Sequence, residues 1–272
     1  MDERIAALLG ANGIEYAGAI PMDAALIINK RIYDQNIAGF AKNVIMFLVP
    51  YRAEAAANRN LSIYAVPRDY HLFMKDLFER LEPELEKLYR GSRFKGMSDH
   101  SPIDETLAAA KCGLGAIGEN RRLINEKYGS YVFIGEFYTD AEIGVSPPCE
   151  PKKCLGCGKC RKACPTGFSG ECLSAVTQKK GELTEDEKEL VKRCECVWGC
   201  DVCQDVCPMN AGKEFTRIDF FRKELIYRLD PDKLSAMTPD EFEMRAYSWR
   251  GRAVIERNVR IICEPPSASS IL

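Results

Sequence analysis

Apolar positions along this chain follow two spacings, and each spacing predicts one kind of element. Spacings of three and four residues predict helices over residues 1–12, Leu72–Leu85 and Arg252–Cys263. Short apolar runs predict strands at Tyr16–Ile20, Asn43–Pro50 and Tyr131–Thr139. The run at Asn43–Pro50 is apolar on both faces, which is typical of a covered central strand. Helices and strands therefore share the chain.

Polar residues that cap helices indicate where further helices begin. Two capping boxes, Thr184 with Glu187 and Thr238 with Glu241, predict helix starts late in the chain. A further helix is expected at Ile103–Cys112, and Ala24–Ile37 is expected to form helix and turn. Directly after Cys112, the sequence matches G-x-G-x-x-G at Gly113, Gly115 and Gly118. That motif binds dinucleotides only when a strand precedes it, so the helix before it excludes a dinucleotide fold.

Composition limits the class of protein. The chain has 272 residues, 46% hydrophobic, with a net charge of −2, which argues against a strongly basic nucleic-acid surface. No apolar run approaches the ~18 residues that a membrane span needs. The first residues carry no basic and apolar leader pattern. We expect a soluble, cytoplasmic chain with no membrane partner.

The cysteines predict the chemistry. Ten of the thirteen lie between Cys154 and Pro208, and the first group has the spacing C-x2-C-x2-C-x3-C-P. In this motif three thiolates bind one [4Fe-4S] cluster and the fourth binds its neighbour. The expected ligands of cluster one are therefore Cys154, Cys157 and Cys160, while Cys164 is expected on cluster two.

The second cysteine group repeats the pattern without its first member, because Val197 occupies that position. By the crossing rule, Cys207 completes cluster one, and Cys200 and Cys203 join Cys164 on cluster two. The fourth ligand of cluster two must be one of three other thiols, Cys172, Cys194 or Cys196. A zinc site would leave the two Cys-Pro pairs unexplained, and a disulfide framework lacks an export signal.

Two polar segments carry the remaining candidates. Arg68-Asp69-Tyr70-His71 stands at a predicted helix start, where the alternatives are a cap with a packed tyrosine or a binding site. Asp99 lies in the turn before a helix, where it is either a solvated N-cap or a proton donor. The adjacent His100 is one of only two histidines and is either a simple hydrogen-bonding residue or a ligand.

Together these motifs resemble the epoxyqueuosine reductase family, whose members use cobalamin and iron–sulfur clusters to finish queuosine in tRNA. The resemblance covers almost the whole chain. It is carried by Tyr64, Arg68-Asp69-Tyr70-His71, Asp99 with Pro102 and Glu105, Gly113-Leu-Gly115 with Gly118, Tyr128-Gly-Ser, Gly135-Glu136, Cys164-Pro-Thr-Gly, Cys172-Leu-Ser, Gly199-Cys-Asp-Val-Cys-Gln-Asp-Val-Cys-Pro and Arg257-Asn258.

The resemblance implies a base-off cobalamin fed with electrons by the two clusters, and it implies that Asp99 is the acid near cobalt. It places Cys172 as the eighth cluster ligand. The implied cobalamin contacts are Tyr64, Arg68, Asp69, Tyr70, His71, His100, Gly113, Gly115 and Gly118. The implied fold is α+β: an α/β cobalamin domain over 1–148, a ferredoxin-like insert with two clusters over 149–212, and a helical segment over 213–272.

The implied partners are a tRNA substrate and an electron donor such as a flavodoxin or ferredoxin, with the chain acting as a monomer. Several positions depart from the family pattern: Glu119 replaces a lysine, Ala116 a tryptophan and Met209 a tryptophan. Longer members continue into helical repeats that contact tRNA. Two other functions stay open at this point: a corrinoid reductase of a small molecule, similar to reductive dehalogenases, and an electron-transfer protein without chemistry of its own.

Overall fold

The structure, a computed structural model, describes residues 1–54, 58–145 and 147–264. The chain packs into two compact units. The first takes the described residues of Met1–Ala53, His71–Gly158 and Cys207–Asp219, and the second takes those of Glu54–Tyr70, Lys159–Val206 and Phe220–Leu272. These units follow packing, so their bounds differ from the three segments expected from cofactor binding. That division stays a prediction, and its last eight residues lie outside the described part.

The first unit is built on an antiparallel sheet. Its strands are β1 Tyr16–Pro21, β2 Asn43–Pro50, β3 Phe94–Met97 and β6 Val132–Thr139, in the order β1-β2-β6-β3, while β4 Ala116–Ile117 and β5 Leu123–Ile124 form a separate hairpin. The helices of this unit are α1 Glu3–Gly10, α2 Lys30–Asn36, α3 Tyr70–Leu88, which starts at the unit boundary, and α4 Glu105–Lys111. Strand β2 is central and buried along its length, as its apolar pattern predicts.

The two faces of the sheet bury different side chains. On one face, Val44, Met46, Leu48 and Tyr138 pack against the alanines of α4. On the other face, Phe47 and Phe137 stack on each other and meet Phe78 of α3 edge to face. Strand β6, which carries Glu136, is therefore covered on both sides.

The second unit is helical. Its helices are α5 Lys159–Ala163, α6 Leu173–Thr177, α7 Glu185–Arg193, α8 Val202–Asp205, α9 Pro231–Ala236, α10 Pro239–Glu243 and α11 Arg252–Cys263. Both predicted capping boxes are present, at Thr184 and Thr238. Helix α11 packs against α7 and α9, and Ile261 joins a small core with Leu173, Val176 and Val191. The predicted mixture of helices and strands is confirmed.

Candidate functional site

Asp99 lies in the loop between the end of β3 at Met97 and the start of α4 at Glu105. The N-cap of α4 is Asp104, whose side chain accepts the N–H of Leu107 at 2.9 Å. The alternative in which Asp99 caps this helix is therefore wrong. Asp99 has a φ of 61°, a conformation that aspartate tolerates better than most residues, and its side chain is 69% exposed.

Two partners fix the Asp99 loop. The Asp99 N–H donates to Glu105 Oε1 at 3.0 Å, and Asp99 Oδ2 lies 3.7 Å from Nε2 of His71 on α3. His100 follows in the same loop, exposed to solvent, with its N–H donating to the Ser98 carbonyl at 2.6 Å. The fold thus brings His71 and Asp99 together from separate segments at a solvent-facing position.

Two further carboxyl groups lie behind this loop. Glu136 of β6 is fully buried, and its pKa is raised well above the ordinary range by burial and then by the charge of Glu105. The pKa of Glu105 is raised to about 7, because burial outweighs the lowering effect of the Asp99 N–H and the charges of Asp99 and Asp104 add to the rise. Both residues belong to the motifs that carry the family resemblance, but the sequence predicted no role for either; the glutamate inside the apolar run Tyr131–Thr139 is the signal that indicates a buried acid.

The three glycines of the G-x-G-x-x-G stretch have a structural cause. Gly113 has a φ of 77° directly after helix α4, which favours glycine. A Cβ on Gly115 would lie 2.7 Å from the Ile124 carbonyl of β5, and one on Gly118 would lie 2.3 Å from Asn120 Oδ1. These glycines allow the tight β4–β5 hairpin. Their expected cobalamin contacts stay a prediction.

In the second unit, the remaining candidate cofactor residues lie between Leu61 and Tyr70. The hydroxyl of Tyr64 accepts the indole N–H of Trp198 at 2.8 Å, and the Asp69 N–H donates to the Met244 carbonyl at 2.8 Å. Arg68 lies 3.4 Å from Glu224 and covers the ring of Phe220. Tyr70 is buried.

Asp201 ties the Tyr64 segment to the second cysteine group. This buried carboxylate accepts the Ser62 hydroxyl and the Ile63 N–H, both at 2.6 Å, and pairs with Arg59 at 3.3 Å. Asp201 stands between Cys200 and Cys203. One buried side chain therefore positions two of the predicted cluster ligands next to the segment that carries Tyr64.

The first cysteine group has features suited to a cluster ligand. Helix α5, which carries Cys160, packs against α8, which carries Cys203. Burial alone would raise the pKa of Cys164, but the Thr166 hydroxyl and the N–H groups of Thr166, Phe168 and Gly167 outweigh it, so the pKa is lowered. Donors around a sulfur stabilise its thiolate, the form that binds iron.

The three alternatives for the eighth ligand differ in their surroundings. Cys172 is exposed at the start of α6, and its charge raises the pKa of Cys200, so the two thiols are neighbours. Cys196 is buried and donates its S–H to the Gly199 carbonyl at 2.7 Å. Cys194 ends α7 and packs on the core around Leu173. Accessibility and position favour Cys172.

Other features bear on metal and membrane binding. Within residues 1–54, 58–145 and 147–264, no three His, Cys, Asp or Glu side chains converge tightly enough for a single metal ion. The thiolates at the corners of a cubane cluster stand farther apart than the ligands of one ion, so a cluster does not require such convergence. No disulfide bond joins any two of the thirteen cysteines, all of which lie in the described residues. In the described part of the chain, no helix is both long and apolar enough to cross a bilayer.

Known proteins resemble the chain along most of its length. The family model for epoxyqueuosine reductase QueG, DUF1730, matches residues 31–100, and the model for the 4Fe-4S binding domain matches residues 150–168. The chain is 30% identical over 264 residues to the epoxyqueuosine reductase of Listeria monocytogenes, covering 87% of this chain and 67% of that protein. It is also 30% identical to that of Bacillus cereus, covering 85% of this chain and 66% of the relative. The chain thus spans about two thirds of these relatives.

Solved structures agree with these matches. The epoxyqueuosine reductase of Streptococcus thermophilus superposes with a TM-score of 0.74 at 26% identity, covering 96% of this chain and 80% of that one. An epoxyqueuosine reductase bound to a tRNA-Tyr epoxyqueuosine-modified stem loop gives a TM-score of 0.76 at 25% identity, with the same coverage.

Proposed function

Because the chain belongs to the epoxyqueuosine reductase family, we propose that it reduces epoxyqueuosine to queuosine in tRNA. The observation that carries this proposal is the Asp99 loop, in which the backbone N–H of an exposed aspartate donates to Glu105, its carboxyl group lies near His71, and Asp104 instead caps α4. The proposed substrate matches the stem loop bound by a relative of known structure. A tRNA is therefore the proposed macromolecular partner.

The cysteines of the chain support the proposed clusters. Clusters require thiolates, and the sequence supplies Cys154, Cys157, Cys160 and Cys207 for cluster one and Cys164, Cys172, Cys200 and Cys203 for cluster two. Cobalamin, when bound, supplies the chemistry that breaks the epoxide carbon–oxygen bond. Residues 1–148 would form its domain, with 149–212 as the cluster insert and 213–272 as the helical segment.

The protein's own part in the reaction is to position the substrate and supply protons. Removing an epoxide oxygen as water consumes two electrons and two protons, so an acid must stand at the substrate. Asp99 delivers a proton to the epoxide oxygen, and His71 orients the Asp99 carboxyl group through their 3.7 Å contact. Tyr64, Arg68, Asp69, Tyr70, His100 and the three glycines of the hairpin are the remaining residues proposed to contact the cofactor.

The proposed supply of electrons is an external donor of the flavodoxin or ferredoxin class, one electron at a time, to a monomer in the cytoplasm. Cys200 and Cys203, which Asp201 anchors beside the segment that carries Tyr64, would hold cluster two and so supply the electrons that such a donor delivers.

The test uses the full chain, anaerobically reconstituted with iron, sulfide and cobalamin and assayed on tRNA that carries epoxyqueuosine. Asp99→Asn should retain both cofactors and lose about 10²–10⁴-fold in rate, because asparagine cannot deliver the proton. Asp34→Asn is the matched control, since it neutralises an aspartate that is half exposed and paired with Lys30 in the same unit. Turnover of small organohalides in place of the tRNA, or no turnover at all, would contradict the proposal.

A further inference from the structure

Glu136 occupies an unusual place for a charged residue. It lies on β6, opposite Met46 of β2 and Met97 of β3, and is fully buried. Neither of its carboxyl oxygens has a partner of hydrogen-bond geometry in the part of the chain that the structure describes. The hydroxyls of Ser101 and Tyr138 lie beside it and pair with each other at 3.3 Å. An ionised carboxylate in this position would be unsolvated, so the site favours the protonated acid.

Glu105 connects this buried acid to the Asp99 loop. It interacts electrostatically with Glu136, and its Oε1 accepts the Asp99 N–H at 3.0 Å. Ser101, beside Glu136, belongs to the same loop and accepts the Ile103 N–H at 3.1 Å. Glu105 therefore contacts the backbone of the Asp99 loop directly, and Glu136 lies beside Ser101 of the same loop.

The titratable groups around Glu105 and Glu136 are mostly acidic. Asp99 and Asp104 face Glu105, and their negative charges favour its protonated form. His71 on α3 faces Asp99, and the phenol of Tyr138 faces Glu136. The strands on either side of Glu136 contribute methionines. Two interacting carboxyl groups in such surroundings titrate as a unit and share protons at neutral pH.

The proposed reaction needs a source for its second proton. Each turnover consumes two protons, whereas one Asp99 carboxyl group holds one. The Asp99 side chain is 69% exposed, so the second proton must reach it from solvent or from a neighbouring acid. A general acid works best when its pKa is near the working pH, and Glu105 meets that condition.

We propose that Glu105, with Glu136 behind it, stores a proton and passes it to the Asp99 carboxylate after Asp99 has protonated the epoxide oxygen. The O–H bond of Glu105 breaks, the O–H bond of Asp99 forms, and Glu105 becomes a carboxylate that recovers a proton from solvent, while Glu136 stays protonated behind it. No electrons move in this step. The inference rests on the proposed function, and Glu105 is a positioning and proton-holding residue, while Asp99 is the group that meets the substrate.

The first test does not involve substrate. Infrared spectra of the full chain, recorded in H₂O and D₂O as pH is raised, should show a protonated carboxyl C=O band at neutral pH that is lost in part near pH 7. Glu105→Gln should remove the part that titrates near pH 7, and Glu136→Gln should remove the part that persists above it. Absence of a protonated carboxyl band at pH 7 in the unaltered protein would overturn the proposal.

The second test is the pH dependence of epoxyqueuosine reduction under single-turnover conditions. Glutamine at position 105 can still accept the Asp99 N–H, so Glu105→Gln retains the loop contact and removes only the proton. We expect the unaltered protein to slow above pH 7 as Glu105 loses its proton, and we expect Glu105→Gln to be about tenfold or more slower at pH 7 and to lack that decline. Glu84→Gln, a surface glutamate paired with Lys87 in the same unit, is the control.

An unchanged rate and pH profile in Glu105→Gln would overturn the proton store. If the unaltered protein does not reduce epoxyqueuosine at all, the proposed function fails, while the infrared titration still decides whether the buried pair holds the proton.

Discussion

Asn258 is the residue whose replacement tests the internal order of the second unit most directly. It is fully buried on α11, and its amide donates to the Thr177 carbonyl at 2.7 Å and the Val197 carbonyl at 2.8 Å. Its side-chain oxygen accepts two N–H groups of Arg257, at 3.1 and 2.9 Å. Thr177 ends the helix that Cys172 begins, and Val197 precedes Cys200, so Asn258 holds two predicted cluster-two segments at a fixed distance.

Asn258→Ala removes these bonds and leaves two buried carbonyls without their donor. Each orphaned group costs about 1–3 kcal/mol, and Arg257 keeps its bonds to the Lys179 and Gly181 carbonyls, so the expected loss is about 3–5 kcal/mol. That is a large share of the ~5–15 kcal/mol of a typical domain. Iron in cluster two should fall with it.

The assay is anaerobic urea unfolding followed by tryptophan fluorescence, because Trp198 is fully buried in this unit. Asn258→Asp, which loses both donations but fits the same space, should be about as unstable as Asn258→Ala. The control is Ser235→Ala in the same unit, which loses a single bond to the Asp232 carbonyl at an exposed position and should cost about 1 kcal/mol or less. A loss below about 1 kcal/mol in Asn258→Ala would refute the reasoning.

Three other outcomes are expected. Anaerobic analysis should give about eight iron and eight acid-labile sulfide per chain. Cys172→Ala should disturb only cluster two, while Cys196→Ala should retain both clusters. About four iron and four sulfide in the unaltered protein would refute the presence of cluster two. Electron paramagnetic resonance of the cob(II)alamin form should lack nitrogen superhyperfine splitting, whereas its presence would indicate an axial imidazole or a retained base. Glu136 has a raised pKa, so its favourable effect on stability is present at acidic pH and is lost as pH rises; Glu136→Gln should flatten this decline in urea unfolding, and an equal slope in both proteins would contradict it.

Local chemistry explains which elements the sequence predicted. The capping boxes at Thr184 and Thr238 and the apolar stripe of Arg252–Cys263 each depend on residues within one or two turns, and the structure confirms all three. Strand β3 was missed because its four residues, with Lys95 and Gly96 inside, have too short a pattern to stand out. Its place is set by Glu136 and its neighbours on β6, which are distant in sequence.

The role of Asp99 shows why two local alternatives needed the fold. The predicted helix start at Ile103 left both Asp99 and Asp104 as acids near its first turn. The structure begins α4 at Glu105, so that only Asp104 stands three residues before the Leu107 N–H it accepts. Asp99 stands too far before Glu105 to cap this helix, so the observed boundary assigns the cap to Asp104.

The sequence pattern reveals the cysteines of this site but not its pair of carboxyl groups. Most ligands of a cluster lie in one loop and the start of one helix, so they recur at short, fixed spacings. The motif can therefore be recognised from the sequence alone. Glu105 and Glu136 acquire their chemistry only from the burial and mutual charge that the sheet imposes on them. As isolated residues in a helix and an apolar strand they have ordinary chemistry. The fold turns them into an acid pair, and that pair adjoins the loop that carries Asp99.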